Sequence, residues 1–113
     1  MNNESNATAD VAVLMLSDNG LIRECNQTCE SLFGYLSGEL IWQHVSKLLP
    51  QLQETMLMRD GHLNPRLCYL IRIGRRFEAV GLGGIRFAGT LFINEVENLG
   101  QHCLRLVVCP EQV

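Results

Sequence analysis

The chain has 113 residues and a mass of 12.7 kDa, which fits one domain with a hydrophobic core. Hydrophobic residues make up 47% and charged residues 19%, a composition that excludes a disordered tail or a coiled coil. The net charge of −3 argues against nucleic-acid binding, because phosphate binding needs a positive field.

The sequence predicts neither a membrane-spanning helix nor a signal peptide. No apolar run approaches the roughly 18 residues that a spanning helix needs, and residues 1–10 are too polar for a signal peptide. We therefore expect a cytoplasmic protein without membrane insertion, with a polar tail over 1–10 and a single domain over 11–110.

Five cysteines, an odd number in a chain without an export signal, predict reduced thiols rather than a disulfide framework. Cys25 and Cys29 have the spacing that places two sulfurs on one helix face, which is half of a metal site. A second pair is lacking, so we predict no metal site and interpret the cysteines as small buried hydrophobic residues. A small thiol or metal protein that uses Cys25 and Cys29 stays open as an alternative.

The first elements in chain order form a hairpin and a short helix. The apolar run Val11 to Leu16 predicts a buried strand, and Asn19-Gly20 predicts a tight turn into a second strand, Leu21 to Cys25. Asn26 is placed to cap a short helix that ends at Gly34, with Leu32 and Phe33 facing the core.

The middle of the chain predicts further helices. Apolar residues from Leu40 to Leu52 recur near the helical period, and Pro50 interrupts them, so short helical pieces are expected. Arg59 to His62 is interpreted as a polar loop. Asn64-Pro65 starts a helix that carries Leu67, Leu70 and Ile71 on one face and ends at Gly74, although Tyr69 to Ile73 alone is equally typical of a strand.

The last third predicts a three-stranded meander over 77–82, 85–96 and 101–109, with turns at Gly83-Gly84 and around Asn98-Leu99-Gly100. In the last strand Leu104, Leu106 and Val108 point one way, and the residues between them point the other way. The predicted class is α+β: a five-stranded antiparallel sheet, made of an N-terminal hairpin and the C-terminal meander, with several short helices on one face.

Catalytic residues are not evident. The sequence lacks a nucleophile with a base, paired carboxylates and a metal cluster, so we predict that the domain is not an enzyme. Gly81, Gly83, Gly84 and Gly89 form neither a dinucleotide motif nor a phosphate loop, and turns or close sheet packing explain them.

Arginines concentrate in one stretch: Arg66, Arg72, Arg75 and Arg76, with Arg59 nearby. Such a cluster is able to receive an acidic partner or a ligand carboxylate through paired hydrogen bonds, and Arg72, Arg75 and Arg76 are the candidate contacts. A solvated surface is the alternative interpretation.

The order of several short motifs resembles that of a PAS domain. The resemblance spans roughly residues 11 to 109, and its first half contains, in order, Asp18-Asn19-Gly20-Leu21-Ile22, Asn26, Leu32-Phe33-Gly34-Tyr35, Ser37-Gly38-Glu39-Leu40-Ile41 and Leu48-Leu49-Pro50. From Arg76 to Val108 the similarity lies in the strand pattern. Trp42 departs from the family, which usually has glycine there, and Val108-Cys109-Pro110 stands where the family often has an aspartate, an apolar residue and a threonine.

The resemblance implies a sensory or protein-interaction module at the N-terminus of a larger bacterial signalling protein. Expected partners are a second copy, in a homodimer, and a C-terminal output domain of the histidine kinase type or the cyclic-di-GMP synthase or phosphodiesterase type. A ligand or partner would shift the dimer between arrangements. The alternative is a ligand-free dimerisation module with a filled core.

The resemblance also implies an apolar ligand space between the sheet and the helices. Its candidate lining residues are Leu32, Phe33, Leu49, Leu70, Ile71, Phe92 and Leu106. Haem-binding members of the family supply a histidine from the helix that here covers 65–73. This segment contains no histidine, and His62 lies just before it, so haem is disfavoured. Photoactive flavin members of the family place a reactive cysteine near the segment that here holds His44 to Lys47. No cysteine lies there, so photoactive flavin is disfavoured, whereas non-covalent flavin needs no such cysteine and stays open. The ligand, if one binds, is otherwise unknown.

Overall fold

A computed structural model describes residues 11–36 and 38–111, with the backbone alone at 54 and 55. The predicted polar tail over 1–10, and Ser37 of the third motif, lie outside the described residues. The strands and helices in chain order are β1 (Ala12–Leu16), β2 (Ile22–Cys25), α1 (Gln27–Phe33), α2 (Glu54–Leu57), β3 (Met58–Arg59), β4 (His62–Leu63), α3 (Pro65–Arg72), β5 (Phe77–Val80), β6 (Arg86–Asn98) and β7 (Gln101–Pro110). Short 3₁₀ helices lie at Val45–Lys47 and Leu82–Gly84.

Five strands form one antiparallel sheet in the order β2-β1-β7-β6-β5, and β3 and β4 form a separate two-stranded ribbon. The sheet confirms the predicted α+β class, with the N-terminal hairpin joined to the C-terminal meander through the pairing of β1 with β7. Val107 on β7 pairs with Val13 on β1 and with Phe92 on β6.

The predicted turn between β1 and β2 is present. The N–H of Gly20 donates to the carbonyl of Ser17 at 2.9 Å, and Gly20 has a φ of 86°. Glycine adopts this left-handed conformation without steric cost, which explains its place in the turn.

Asn26 caps α1 as its position predicts, and it also joins the helix to β1. Its Oδ1 accepts hydrogen bonds from the N–H of Cys29 at 2.9 Å and of Val13 at 3.0 Å. Its Nδ2 donates to the carbonyl of Val11 at 2.9 Å. Gly34 ends the helix in the left-handed conformation, confirming the predicted stop.

Between Leu40 and Leu52 the structure has one short helical piece, the 3₁₀ turn Val45–Lys47, where the sequence predicted several. The backbone groups that a helix would use bond to strands instead. Trp42 N–H donates to the Ile22 carbonyl at 2.7 Å on one sheet edge, and the Leu48 carbonyl accepts from Val80 N–H at 2.8 Å on the other. One segment therefore covers both outer strands of the sheet.

Arg59 to His62 is a tight hairpin rather than an irregular loop. Asp60 and Gly61 both have positive φ, 55° and 80°, and they connect β3 to β4. This pair of left-handed residues matches the twist of the flanking strands, so the polar stretch closes the ribbon.

Helix α3 begins where the sequence predicts. Asn64 Oδ1 accepts from Arg66 N–H at 2.9 Å and Pro65 occupies the first helical position. The helix runs to Arg72, which resolves the ambiguity over Tyr69 to Ile73 in favour of helix for most of that stretch. Gly74 follows with a φ of 75°.

The core lies between the helices and the inward sheet face. It contains alternate residues of β1 and β7, including Leu14, Leu16, Leu104 and Leu106, all with no exposed surface. A side chain at Gly81 would come within 2.8 Å of the Phe33 carbonyl oxygen, so close packing requires glycine there. The longest helix of the described ranges has 8 residues, and none in those ranges is long and apolar enough to cross a membrane.

Candidate functional site

Six of the seven predicted lining residues lie in or against the hydrophobic core. Phe33, Leu49 and Leu106 are fully or almost fully buried in a single cluster. Leu32, Leu70 and Ile71 are partly buried and pack against that cluster. The structure therefore brings these six together on the inner side of the sheet, where a ligand space was expected.

Phe92 does not join them, and its placement in the lining was wrong. Its side chain is 58% exposed because it pairs in register with Val107 on the outer sheet face. The inward residues of β6 are Leu91 and Ile93, which pair with Val108 and Leu106. Strand residues alternate between faces, so Phe92 must point away from Leu106.

The outer sheet face presents an apolar row made of Phe92, Val107 and Val13, which we call the outer row. Beside it, Arg105 and Glu24 flank Met15 in the strand register, and both charged residues are exposed. Two open clefts adjoin this face, with volumes of about 250 and 150 Å³, and Met15 and Glu24 line both.

His44 carries an unpartnered nitrogen in the interior. Its Nδ1 accepts from the Ser46 N–H at 3.1 Å, so the neutral ring holds its proton on Nε2. Nε2 is buried and has no hydrogen-bond partner among the described residues. A side chain on Gly20 would lie 2.6 Å from this nitrogen, so glycine leaves the room that the ring occupies. Buried donors without a partner are rare, which makes His44 a candidate ligand contact.

Cys25 and Cys29 do not have the electrostatics of reactive thiols. Burial raises the pKa of Cys29 to about 12, with further contributions from Cys25 and Glu30. The pKa of Cys25 is also raised, mainly by burial and then by Glu30, whose Oε2 lies 3.8 Å from its sulfur. Residues 11–36 and 38–111 contain no group of three side chains arranged to hold a metal ion.

The predicted basic cluster lies on and after α3, and its members differ in their contacts. Arg76 donates to Glu111 at 2.8 Å, an exposed ion pair. Arg72 and Arg75 are exposed and form no ion pair within the described part of the chain. His62, the only histidine near α3, lies exposed on β4.

A family profile described as the PAS fold matches residues 4–81. The chain belongs to the PAS family. The PAS domain of an HTR-like protein from Haloarcula marismortui aligns with a TM-score of 0.69 and 11% identity, over 96% of this chain and 93% of that chain. The PAS domain of nitrogen regulation protein NR(II) from Vibrio parahaemolyticus gives 0.62 and 18%, over 89% of each chain.

The light-state dimer of the fungal blue-light photoreceptor Vivid aligns with a TM-score of 0.59 and 15% identity, over 90% of this chain and 78% of that chain. No curated protein matches the sequence. The profile match covers residues 4–81, which contain the sequence motifs, and the structural alignments extend the fold over the closing strands.

One polar cluster of this PAS domain was not predicted. The ring of His102 on β7 lies between Asp18, after β1, and Glu95 on β6, with both nitrogen-to-oxygen distances at 2.6 Å. Glu95 also accepts from the Leu63 N–H at 3.2 Å, so the cluster connects the sheet to the β3–β4 ribbon. We call these residues the His102 bridge. Its members are far apart in the sequence, and no local pattern signals it.

Proposed function

We propose that this PAS domain is a sensory signalling module that dimerises through its outer sheet face and regulates an attached output domain. PAS domains are generally regulatory modules, and the related folds include a PAS domain from a two-component sensor histidine kinase. Expected outputs are a histidine kinase or a cyclic-di-GMP synthase or phosphodiesterase, in the bacterial cytoplasm. The exposed ring of Phe92 is the observation that carries the proposal.

The outer row supports self-association. Phe92, Val107 and Val13 align across three adjacent strands, so their apolar surface is continuous rather than scattered. A two-fold dimer places the same patch of each protomer against its copy, which buries such a row on both sides. Arg105 and Glu24 lie on opposite sides of Met15 in the register, so the face is able to pair opposite charges with its copy.

The signal would be a small ligand in the interior, beside Leu32, Phe33, Leu49, Leu70, Ile71 and Leu106. His44 would supply the polar contact, because its Nε2–H needs an acceptor oxygen such as a carbonyl, hydroxyl or carboxylate. A ligand that favours one packing of the helices on the sheet would shift the dimer between arrangements. The second candidate is a dimerisation module without a ligand, and the tight burial of Phe33, Leu49 and Leu106 favours it.

Native mass spectrometry of the purified protein tests both parts in one measurement. A dimer with a discrete added mass supports the sensor, and loss of that mass in His44→Leu supports the proposed contact. A bare dimer favours the module with a filled core. A monomer at micromolar concentration overturns dimerisation.

Matched variants locate the interface. Phe92→Glu places a charge in the outer row and is expected to give monomers. Ile85→Glu changes another exposed apolar residue, 68% exposed and just before β6, and is expected to stay dimeric. If the two variants behave alike, the outer sheet face is not the interface.

A further inference from the structure

Positive charge is concentrated in one region of an acidic protein. The segment 59–76 contains five of the nine basic residues and one of the twelve acidic residues, which gives it a charge of +4. The rest of the chain then carries −7, since the whole chain has −3. This region is therefore opposite in sign to the molecule around it.

Helix α3 gives this region a defined shape. Leu67 is buried and Leu70 and Ile71 pack against the core, which fixes the inward side of the helix. On the outward side, Arg66, Tyr69 and Ile73 follow one another at spacings of three and four residues, the spacing of neighbours on one helix face. Tyr69 and Ile73 are each 55% exposed. An aromatic and an aliphatic side chain thus lie in water beside arginines.

Three arginines of this region form no ion pair with any residue that the structure describes. Among the described residues, ion pairs engage Arg76 with Glu111 and Arg86 with Glu78, while Arg66, Arg72 and Arg75 have none. Their guanidinium groups are free to form paired hydrogen bonds with carboxylates. We define the α3 surface as Arg66, Tyr69, Arg72, Ile73 and Arg75.

We infer that the α3 surface binds an acidic, amphipathic segment of a partner protein. Carboxylates of that segment would pair with the three free arginines, and its apolar side chains would cover Tyr69 and Ile73. A second copy of this chain does not fit, because a two-fold contact would set the arginines of one copy against those of the other. The inference is independent of the outer sheet face and of any interior ligand.

The test uses the full chain and a fluorescein-labelled synthetic peptide built from glutamate, leucine and phenylalanine, with binding followed by fluorescence anisotropy. Arg66→Glu with Arg72→Glu is expected to weaken binding by about tenfold or more, and Tyr69→Ser with Ile73→Ser to a similar extent. Arg86→Glu, at an exposed arginine at the start of β6 and outside the α3 surface, is the matched control and should change the affinity little. Equal weakening by the control would overturn the inference.

Two further peptides define the partner. A peptide with lysine in place of every glutamate is expected not to bind. A peptide that keeps glutamate but has serine in place of leucine and phenylalanine is expected to bind much more weakly, and equal binding would reduce the surface to a simple anion site.

Other occupants give distinct results. Binding to vesicles that contain phosphatidylserine, without binding to the peptide, would assign the surface to a membrane and overturn the inference. A change in self-association of Arg66→Glu with Arg72→Glu would assign it to a second copy. The oligomeric state of Phe92→Glu is a separate measurement, so failure here leaves the proposed dimer untouched.

Discussion

His102 Nδ1 lies 2.6 Å from the Oδ1 of Asp18, although the two residues are 84 positions apart in the sequence. The other ring nitrogen is at the same distance from Glu95. An imidazole that contacts two carboxylates through both nitrogens is favoured in its charged form, because only the protonated ring donates on both sides. The His102 bridge therefore makes the attachment of the turn after β1 to the β6–β7 hairpin dependent on pH.

The direction of that pH dependence follows from the pKa shifts of His102 and Glu95. Hydrogen bonds that His102 donates to Asp18 and then to Glu95 raise its pKa above 6.5, so its stabilising effect is fully present below pH 6.5 and is lost as pH rises through the folded-state pKa. The Leu63 N–H and then His102 lower the pKa of Glu95 below 4.5, so its effect is present above pH 4.5 and is lost as pH falls further. The bridge should stabilise most between pH 4.5 and 6.5.

Thermal melts of the wild type and His102→Gln between pH 5 and 9 check this expectation. The difference in melting temperature should be largest near pH 6 and should shrink toward pH 9. His62→Gln serves as the control, since His62 is exposed on the adjacent ribbon and its charge is the smallest of the causes that shift the pKa of Glu95. A His102→Gln effect of the same size at every pH would show that the ring acts by packing alone.

Trp42 occupies a backbone conformation that suits glycine, with a φ of 69° and a side chain 61% exposed. The strain of this conformation is about 1–2 kcal/mol for a residue with a side chain, and glycine removes it at an entropic cost of about 0.5–1 kcal/mol. Trp42→Gly should therefore be more stable than Trp42→Ala by about 0.5–1 kcal/mol. Both variants lose the contact of Arg23 with the indole, 5.0 Å from its centroid, so that contact cancels in the comparison.

Urea denaturation of both variants measures the difference. Tyr69 provides the matched control, because it is an exposed aromatic residue in α3 with ordinary helical geometry. There the order should reverse, with glycine less stable than alanine by about 1 kcal/mol. The same order at both positions would contradict the claim that residue 42 is strained.

Much of the fold was predicted from local sequence signals, because each of these signals depends only on residues a few positions apart. Asn26 and Asn64 cap helices through N–H groups two or three positions away, and Gly34 ends a helix in its own backbone conformation. The alternation of β7 was also readable, since Leu104, Leu106 and Val108 are indeed the inward residues. Features that depend on contacts between residues far apart in the chain could not be predicted.

Phe92 shows that the sequence of a strand alone does not determine which sheet face each residue occupies. Its face depends on the register with β7, and the two-residue turn at Leu99 and Gly100 sets that register by pairing Asn98 with Gln101. The sequence placed that turn only approximately, so the pattern of β6 alone did not determine the face on which Phe92 lies. The prediction of helix around Trp42 was incomplete for a related reason. The helix-like pattern competes with hydrogen bonds between Trp42 and Ile22 and between Leu48 and Val80, which no local pattern reveals.

Asn26 is expected to contribute more to stability than an ordinary helix cap. Asn26→Ala removes the cap, worth about 1 kcal/mol, and leaves the Val13 N–H without its acceptor, so we expect a loss of about 2–3 kcal/mol. Asn26→Asp keeps the accepting oxygens and loses only the donor to Val11, so it should cost about 1 kcal/mol. Asn94→Ala, exposed on β6, should change stability by less than about 0.5 kcal/mol. Chemical denaturation of the three variants tests this ranking, and equal costs for the two Asn26 variants would contradict it.

Cys29 tests the alternative that the domain is a thiol protein. Burial holds its pKa at about 12, so at pH 8 almost all of this thiol is protonated, and a protonated thiol is a poor nucleophile. In the native protein, Cys29→Ala should therefore leave the number of thiols that react quickly with Ellman's reagent unchanged. The same substitution should remove one reactive thiol after denaturation in guanidinium, which confirms that the assay detects it. Fast labelling of Cys29 in the folded state, or a Cys25–Cys29 disulfide under mild oxidation, would instead support thiol chemistry at the end of β2.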